Sequence, residues 1–158
     1  MLVRKRLRRL RIHFSNFVTG CFGYDGLMMR EGWTGYARSL LRIVAGFLFS
    51  LHGYQKLFGL FGGVGGHGAR AAIWSQSWVA GVLETAGGLL IVAGLFTRPV
   101  AFVLCGEMAV AYFRMHYPRS FWPILNGGDN AVLFCFLYLY LSAAGGGPLS
   151  LDRVVRRK

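Results

Sequence analysis

Four long apolar stretches dominate this sequence and restrict what it can fold into. They run over residues 36–61, 77–96, 99–117 and 129–144. A helix that crosses the hydrocarbon core of a bilayer needs about 20 mostly apolar residues. The composition agrees, since only 15% of the residues are charged, whereas a soluble domain carries about 25%. The sequence therefore predicts an all-α integral membrane protein, a four-helix transmembrane bundle.

The basic residues predict how this bundle is oriented. Most of the lysines and arginines lie before the first segment, at Arg98 in the middle turn, or in the C-terminal tail. The opposite side holds mainly Arg70, Arg114 and Arg119. Because cytoplasmic loops carry an excess of Lys and Arg, both termini are expected in the cytoplasm.

The charge pattern also divides the chain. We expect a basic amphipathic extension over residues 1–35, a membrane domain over 36–153 and a basic tail over 154–158. The extension would lie on anionic lipid headgroups or dock onto a partner protein. A nucleic-acid partner is not expected, since no recognised binding module surrounds the arginines. The docking residues would be Arg4, Lys5, Arg6, Arg8, Arg9 and Arg11.

Several ionisable or amide side chains lie inside or beside the apolar segments, where a charge costs several kcal/mol. A helical rise of about 1.5 Å per residue places most of them in the outer half of the bundle. Arg42 is expected alone near the inner side, with its side chain extended to the surface. The predicted polar cluster consists of His52, Gln55, Lys56, Glu84, Glu107, Arg114, His116, Asp129 and Asn130.

Two interpretations of this cluster remain open. In the first, the charges only compensate one another and fix the helices in register, since buried ions persist when paired. The candidate pairs are Lys56 or His52 with Glu84, and Arg114 with Glu107 or Asp129.

In the second interpretation, the cluster forms a polar pocket within apolar walls. His52, Lys56, Glu84 and Glu107 would hydrogen-bond a quinone carbonyl and move its protons. A metal site is not favoured, because His52 and His116 lie on different helices without metal-ligand spacing.

Two further features concern helix packing: small residues in the second segment, and cysteines in the third and fourth segments. Gly81, Gly87 and Gly88 lie along the second segment, and small residues let helix backbones approach closely. Cys105 and Cys135 are interpreted as small buried apolar residues.

Five short motifs lie along the apolar segments and their turns: HGYQKLFG at 52–59, ETAGG at 84–88, GLFTR at 94–98, NGGDN at 126–130 and GPLSLD at 147–152. Together they resemble the motifs of the DoxX family over residues 38–153. Asp129 stands where that family often carries a Glu.

The resemblance implies a four-helix protein of a bacterial or archaeal cell membrane. Some members are similar to small subunits of quinone-linked sulfur oxidation or terminal oxidase systems, and others are associated with oxidative-stress complexes. The function expected here is that of an accessory membrane subunit of a respiratory or redox complex, which is not catalytic alone. Its expected partners are other membrane subunits and the bilayer, and quinone is the candidate ligand. The alternatives are a purely structural or assembly subunit and a small-molecule transporter.

Overall fold

Helices form the regular structure of the chain. The computed structural model describes residues 24–155, with side chains from residue 32 onward. The predicted docking residues at 4–11 and the last three residues of the basic tail lie outside this range. An isolated β-bridge joins Val64 and Ala69, and the described residues contain no strand. The helices are α1 Tyr24–Phe58, α2 Gln76–Ala93, α3 Thr97–Ala111, a π-helical turn Tyr112–His116, α4 Pro123–Asn126, α5 Asp129–Ala144 and α6 Leu151–Val155.

The chain divides into two units, Met1–Ala37 and Arg38–Lys158. The described residues of the first unit belong to the first part of α1. The second unit contains the rest of α1, all later helices and every contact described below.

The all-α part of the prediction is confirmed, but four spans are not established. Among the described helices, Gln76–Ala93 is long and apolar enough to cross a bilayer, whereas Asp129–Ala144 is apolar but shorter. In the third predicted segment the α-helix covers Thr97–Ala111 and continues as the π-helical turn Tyr112–His116, and it is not among the helices found long and apolar enough to span. The first is helical, but it carries the charges of Arg38, Arg42 and Lys56.

The helix ends follow local chemistry. Ser75 caps α2 by accepting a hydrogen bond from the Trp78 amide at 3.1 Å, as small hydroxyl residues do at helix starts. The same helix ends at Gly94, whose φ of 69° is left-handed and suits glycine. Asp152 caps α3, since its carboxylate accepts from the amides of Phe96 at 2.7 Å and Thr97 at 2.9 Å.

Glycines bring α1 and α2 into close contact, as the small-residue pattern predicts. A Cβ added at Gly46 would lie 2.7 Å from the carbonyl oxygen of Gly88. A Cβ added at Gly87 would lie 2.7 Å from the Leu104 side chain of α3. Neither position has space for a larger side chain, so α2 packs closely against both neighbours.

Arg42 is fully buried, and the expectation that its side chain reaches the surface is wrong. Its guanidinium donates to the carbonyl oxygens of Val92 at 2.6 Å, Leu149 at 2.8 Å and Gly146 at 2.9 Å, and also to that of Ile91. Ile91 and Val92 lie in the last turn of α2, where carbonyls can accept further hydrogen bonds and the helix dipole favours a cation. Arg42 therefore links α1 by hydrogen bonds to the end of α2 and to the C-terminal loop.

Candidate functional site

A buried ion pair joins α1 to α2. The Lys56 ammonium contacts one carboxylate oxygen of Glu84, and the Glu84 side chain is 3% exposed against 28% for Lys56. This is one of the two partners that the sequence predicts for Glu84. The second oxygen of Glu84 is buried and has no hydrogen-bond partner, so the carboxylate retains an unused acceptor.

Glu107 of α3 adds a second carboxylate to this pair. It lies within electrostatic range of both Glu84 and Lys56. Both of its oxygens are buried without a hydrogen-bond partner. Buried polar atoms nearly always have partners, so unpartnered ones call for an explanation. Two carboxylates here share one ammonium, and three of their four oxygens can still accept a hydrogen bond.

A groove of about 660 Å³ opens beside these charges, a volume typical of small-molecule sites. We call it the α2–α3 groove. Its wall carries Lys56 and Glu107, and its apolar lining includes Val79, Leu83 and Val110. The remaining polar groups that line it are Gln76, Ser77, His116 and Arg119.

His52 does not join the carboxylates and lines a different groove. This α1–α5 groove has a volume of about 510 Å³ and is also lined by Gln55 and Asn130. The His52 ring lies edge-on to Phe134, with centroids 6.4 Å apart. Lys56 acts on His52 electrostatically, yet the two side chains line separate grooves. Six residues of the predicted single cluster are therefore divided between two grooves, and the other three, Glu84, Arg114 and Asp129, line neither.

Arg114 and Asp129 are exposed, and the predicted Arg114 pairing is wrong. Among the described residues, Lys56–Glu84 is the ion pair that forms. The π-helical turn explains the error, because a π-turn adds a residue to the helical repeat. Arg114 lies within that turn, so the spacing of seven from Glu107 no longer keeps both on one helix face.

Polar contacts of His116 and Asn126 hold together the loop that follows the π-helical turn. The His116 Nδ1 lies 3.1 Å from the carbonyl oxygen of Asn126. The buried Asn126 amide donates to the Ser120 carbonyl and accepts from the Gly128 amide, each at 2.7 Å. His116 is thus held where it lines the α2–α3 groove.

Sequence reasoning missed two features of this region. The buried Tyr138 hydroxyl lies within electrostatic range of both Glu84 and Glu107. The sulfur atoms of Cys105 and Cys135 lie 3.7 Å apart. A polar aromatic residue in α5 signals the first feature, but thirty residues separate the two cysteines and no spacing rule links them.

Comparisons with known proteins give a family and two relatives. The family model described as DoxX matches residues 37–117. An uncharacterized protein of Haemophilus influenzae is 40% identical over 132 residues, which cover 81% of this chain and 97% of that protein. A Bacillus subtilis protein named "Putative oxidoreductase CatD" is 26% identical over 116 residues, covering 73% of this chain and 84% of that protein. No solved structure matches the chain at a significant level.

Proposed function

Because this chain belongs to the DoxX family, we propose that it is a multi-pass membrane protein, an accessory subunit of a redox complex that binds a quinone in the α2–α3 groove. The membrane domain over residues 36–153 would form a four-span bundle with both termini in the cytoplasm. The bundle would lie in a bacterial or archaeal inner membrane.

The distribution of polar and apolar side chains supports membrane placement. Large apolar side chains are exposed on every long helix, including Phe47, Phe102 and Phe136, each more than half exposed. Arg42 and Glu84, in contrast, are buried. Exposed apolar area on this scale marks a surface that is covered by lipid or protein. Lipid around the bundle would explain why the charged groups lie inside.

The unpartnered carboxylate of Glu107 is the observation that carries the quinone proposal. A quinol hydroxyl in the groove would donate to Glu107, which supplies the missing partner. The same carboxylate would accept the proton when the bound quinol is oxidised. The apolar lining, with Val79 and Leu83 on one side and Val110 on the other, fits the ring and the isoprenoid tail.

The redox assignment draws further support from a relative. The name of the Bacillus subtilis protein describes an oxidoreductase. In this chain, no group of three or more His, Cys, Asp or Glu residues that could hold a metal lies among the described residues. The proposal assigns quinone binding in the groove to this chain, and the redox chemistry of the complex at that bound quinone to partner subunits.

A structural role is the second candidate, since the Lys56–Glu84 pair and the Arg42 contacts join helices without any ligand. In that case residues 1–35 would dock onto a larger complex or onto anionic headgroups. Deletion of residues 1–35 would then release the chain from the complex, while substitutions in the groove would change nothing but stability.

Filling the groove separates these two candidates. Gly106 lines the groove, and a Cβ added there meets no atom within 4 Å. We expect Gly106→Phe to occupy the ligand volume without disturbing the packing. The protein would be purified from native membranes in mild detergent, its quinone extracted and quantified, and its co-purifying proteins identified by mass spectrometry.

Leu89→Phe is the matched control, because Leu89 lies on α2 and is exposed and lines neither groove. The proposal expects bound quinone in the wild type and the Leu89 variant, its loss in Gly106→Phe, and redox subunits in all three preparations. Equal quinone content in both variants, or phospholipid alone in the wild type, would contradict it.

A further inference from the structure

Cys105 and Cys135 form a close pair between two packed helices. Their sulfur atoms are 3.7 Å apart, and both are free thiols. A disulfide bond is about 2.05 Å long, so the sulfur atoms need to approach by only about 1.7 Å. Rotation about the Cα–Cβ bonds can supply much of that movement, since cysteine side chains change rotamer readily.

The surroundings of the pair determine which oxidant can reach it. Both cysteines are partly exposed, which corrects the expectation that they are buried. Both pack against the hydrophobic core, while Phe102 of α3 and Phe136 of α5, close to them in sequence, are 67% and 65% exposed, so the surface of these two helices near the pair is apolar. Cys105 lies in the middle of α3 and Cys135 in the middle of α5, far from either helix end.

We propose that Cys105 and Cys135 are a redox-active dithiol, which a lipid-soluble quinone oxidises to a disulfide between α3 and α5. In the reaction, two S–H bonds break and one S–S bond forms. The two electrons and two protons pass to the quinone, which becomes quinol. The inference rests on the membrane placement proposed above. In the middle of a bilayer, the pair is out of reach of charged thiol reagents such as glutathione, whereas a quinone dissolves there.

The dithiol is separate from the α2–α3 groove. Neither cysteine lines that groove or the α1–α5 groove. Oxidation would therefore proceed from quinone dissolved in the lipid. Its effect would be to join α3, which carries Glu107, covalently to α5.

The test uses the full chain in lipid nanodiscs with Cys21→Ser, because Cys21 is the third cysteine and lies outside the described residues. The reduced protein is freed of reductant and incubated with a short-chain benzoquinone whose ring carbons are fully substituted, so that the thiols can reduce it but not add to an open ring position. Quinol is measured by absorbance, and thiols are alkylated under denaturing conditions for mass spectrometry. We expect about one quinol per chain, loss of both thiols and a Cys105–Cys135 cross-linked peptide.

Cys21→Ser with Cys105→Ser is the control, and it should give no quinol and no intramolecular cross-link. The proposal is overturned if both thiols survive, if a stable sulfur–quinone adduct accumulates, or if the disulfide joins two chains. Gly106→Phe in the Cys21→Ser background distinguishes the dithiol proposal from the proposal that quinone binds in the α2–α3 groove. If this variant loses bound quinone but still forms the Cys105–Cys135 disulfide, both proposals are supported. If it no longer forms the disulfide, the proposal that the dithiol reacts independently of the groove is contradicted.

Discussion

Replacing Lys56 by methionine removes the ammonium from a buried ion pair and leaves the Glu84 carboxylate behind. That carboxylate is 3% exposed, so water cannot replace the lost partner. Removing one member of a buried pair costs about 3–5 kcal/mol. We expect Lys56→Met to lower the free energy of unfolding by that amount.

Substituting the other partner, Glu84, should lower the free energy of unfolding by less. Glu84→Gln keeps a carbonyl oxygen that accepts from Lys56, and the lysine, at 28% exposed, can remain hydrated. The hydrogen bond remains and only the carboxylate charge is lost, so the loss should not exceed that of one charged hydrogen bond, about 1.5–3 kcal/mol. The double variant leaves no charge without a partner, and it should recover much of the stability lost in Lys56→Met.

The assay is thermal unfolding of the purified proteins in one detergent, followed by circular dichroism. For a chain of this length, each kcal/mol shifts Tm by about 2–4 °C, so Lys56→Met should lower Tm by about 6–20 °C. Equal losses from the two single substitutions would refute the asymmetry that we derive from burial. Additive losses in the double variant would refute the coupling.

Three further substitutions test other parts of the structure by the same unfolding assay. Arg42→Met should lower the free energy of unfolding by several kcal/mol because buried carbonyl groups lose their donors. The control Arg153→Met, at an exposed residue, should change it by less than about 0.5 kcal/mol. Similar effects of the two substitutions would contradict the role of Arg42. Gly46→Leu should prevent close packing of α1 on α2, while Gly32→Leu is tolerated, and a stable Gly46 variant would disprove the contact. Glu107→Leu should stabilise the protein by about 1–3 kcal/mol while abolishing quinone retention, as expected where function keeps buried polar atoms without hydrogen-bond partners. Destabilisation would show that Glu107 has structural partners.

Local signals in the sequence were enough to locate much of the fold. The predicted fourth segment coincides with α5 at residues 129–144, because glycines lie directly on either side of the apolar run. Helical rise and depth placed Glu84 in the same layer as Lys56 and His52, and thus limited its partner to these two residues. These features depend on neighbouring residues and regular geometry, which sequence carries directly.

Other features depend on contacts that sequence spacing does not encode. Arg42 binds carbonyl groups up to 107 residues away, and backbone acceptors leave no side-chain pattern to recognise. The π-helical turn after Ala111 changed the helical phase and separated Arg114 from Glu107. His52 lies one turn from Lys56, yet the two line different grooves, since groove boundaries are set by the neighbouring helices.

The most direct test of the central claim is to locate the quinone on the chain. A photoreactive quinone analogue would be bound to the wild-type protein in nanodiscs, illuminated, and its attachment sites identified by mass spectrometry. If quinone binds in the α2–α3 groove, labelling is expected in α2 and α3 around Leu83 and Val110, reduced by unlabelled quinone and absent in Gly106→Phe. Labelling confined to the α1–α5 groove around Leu133 and Leu137, or labelling that unlabelled quinone does not reduce, would contradict it.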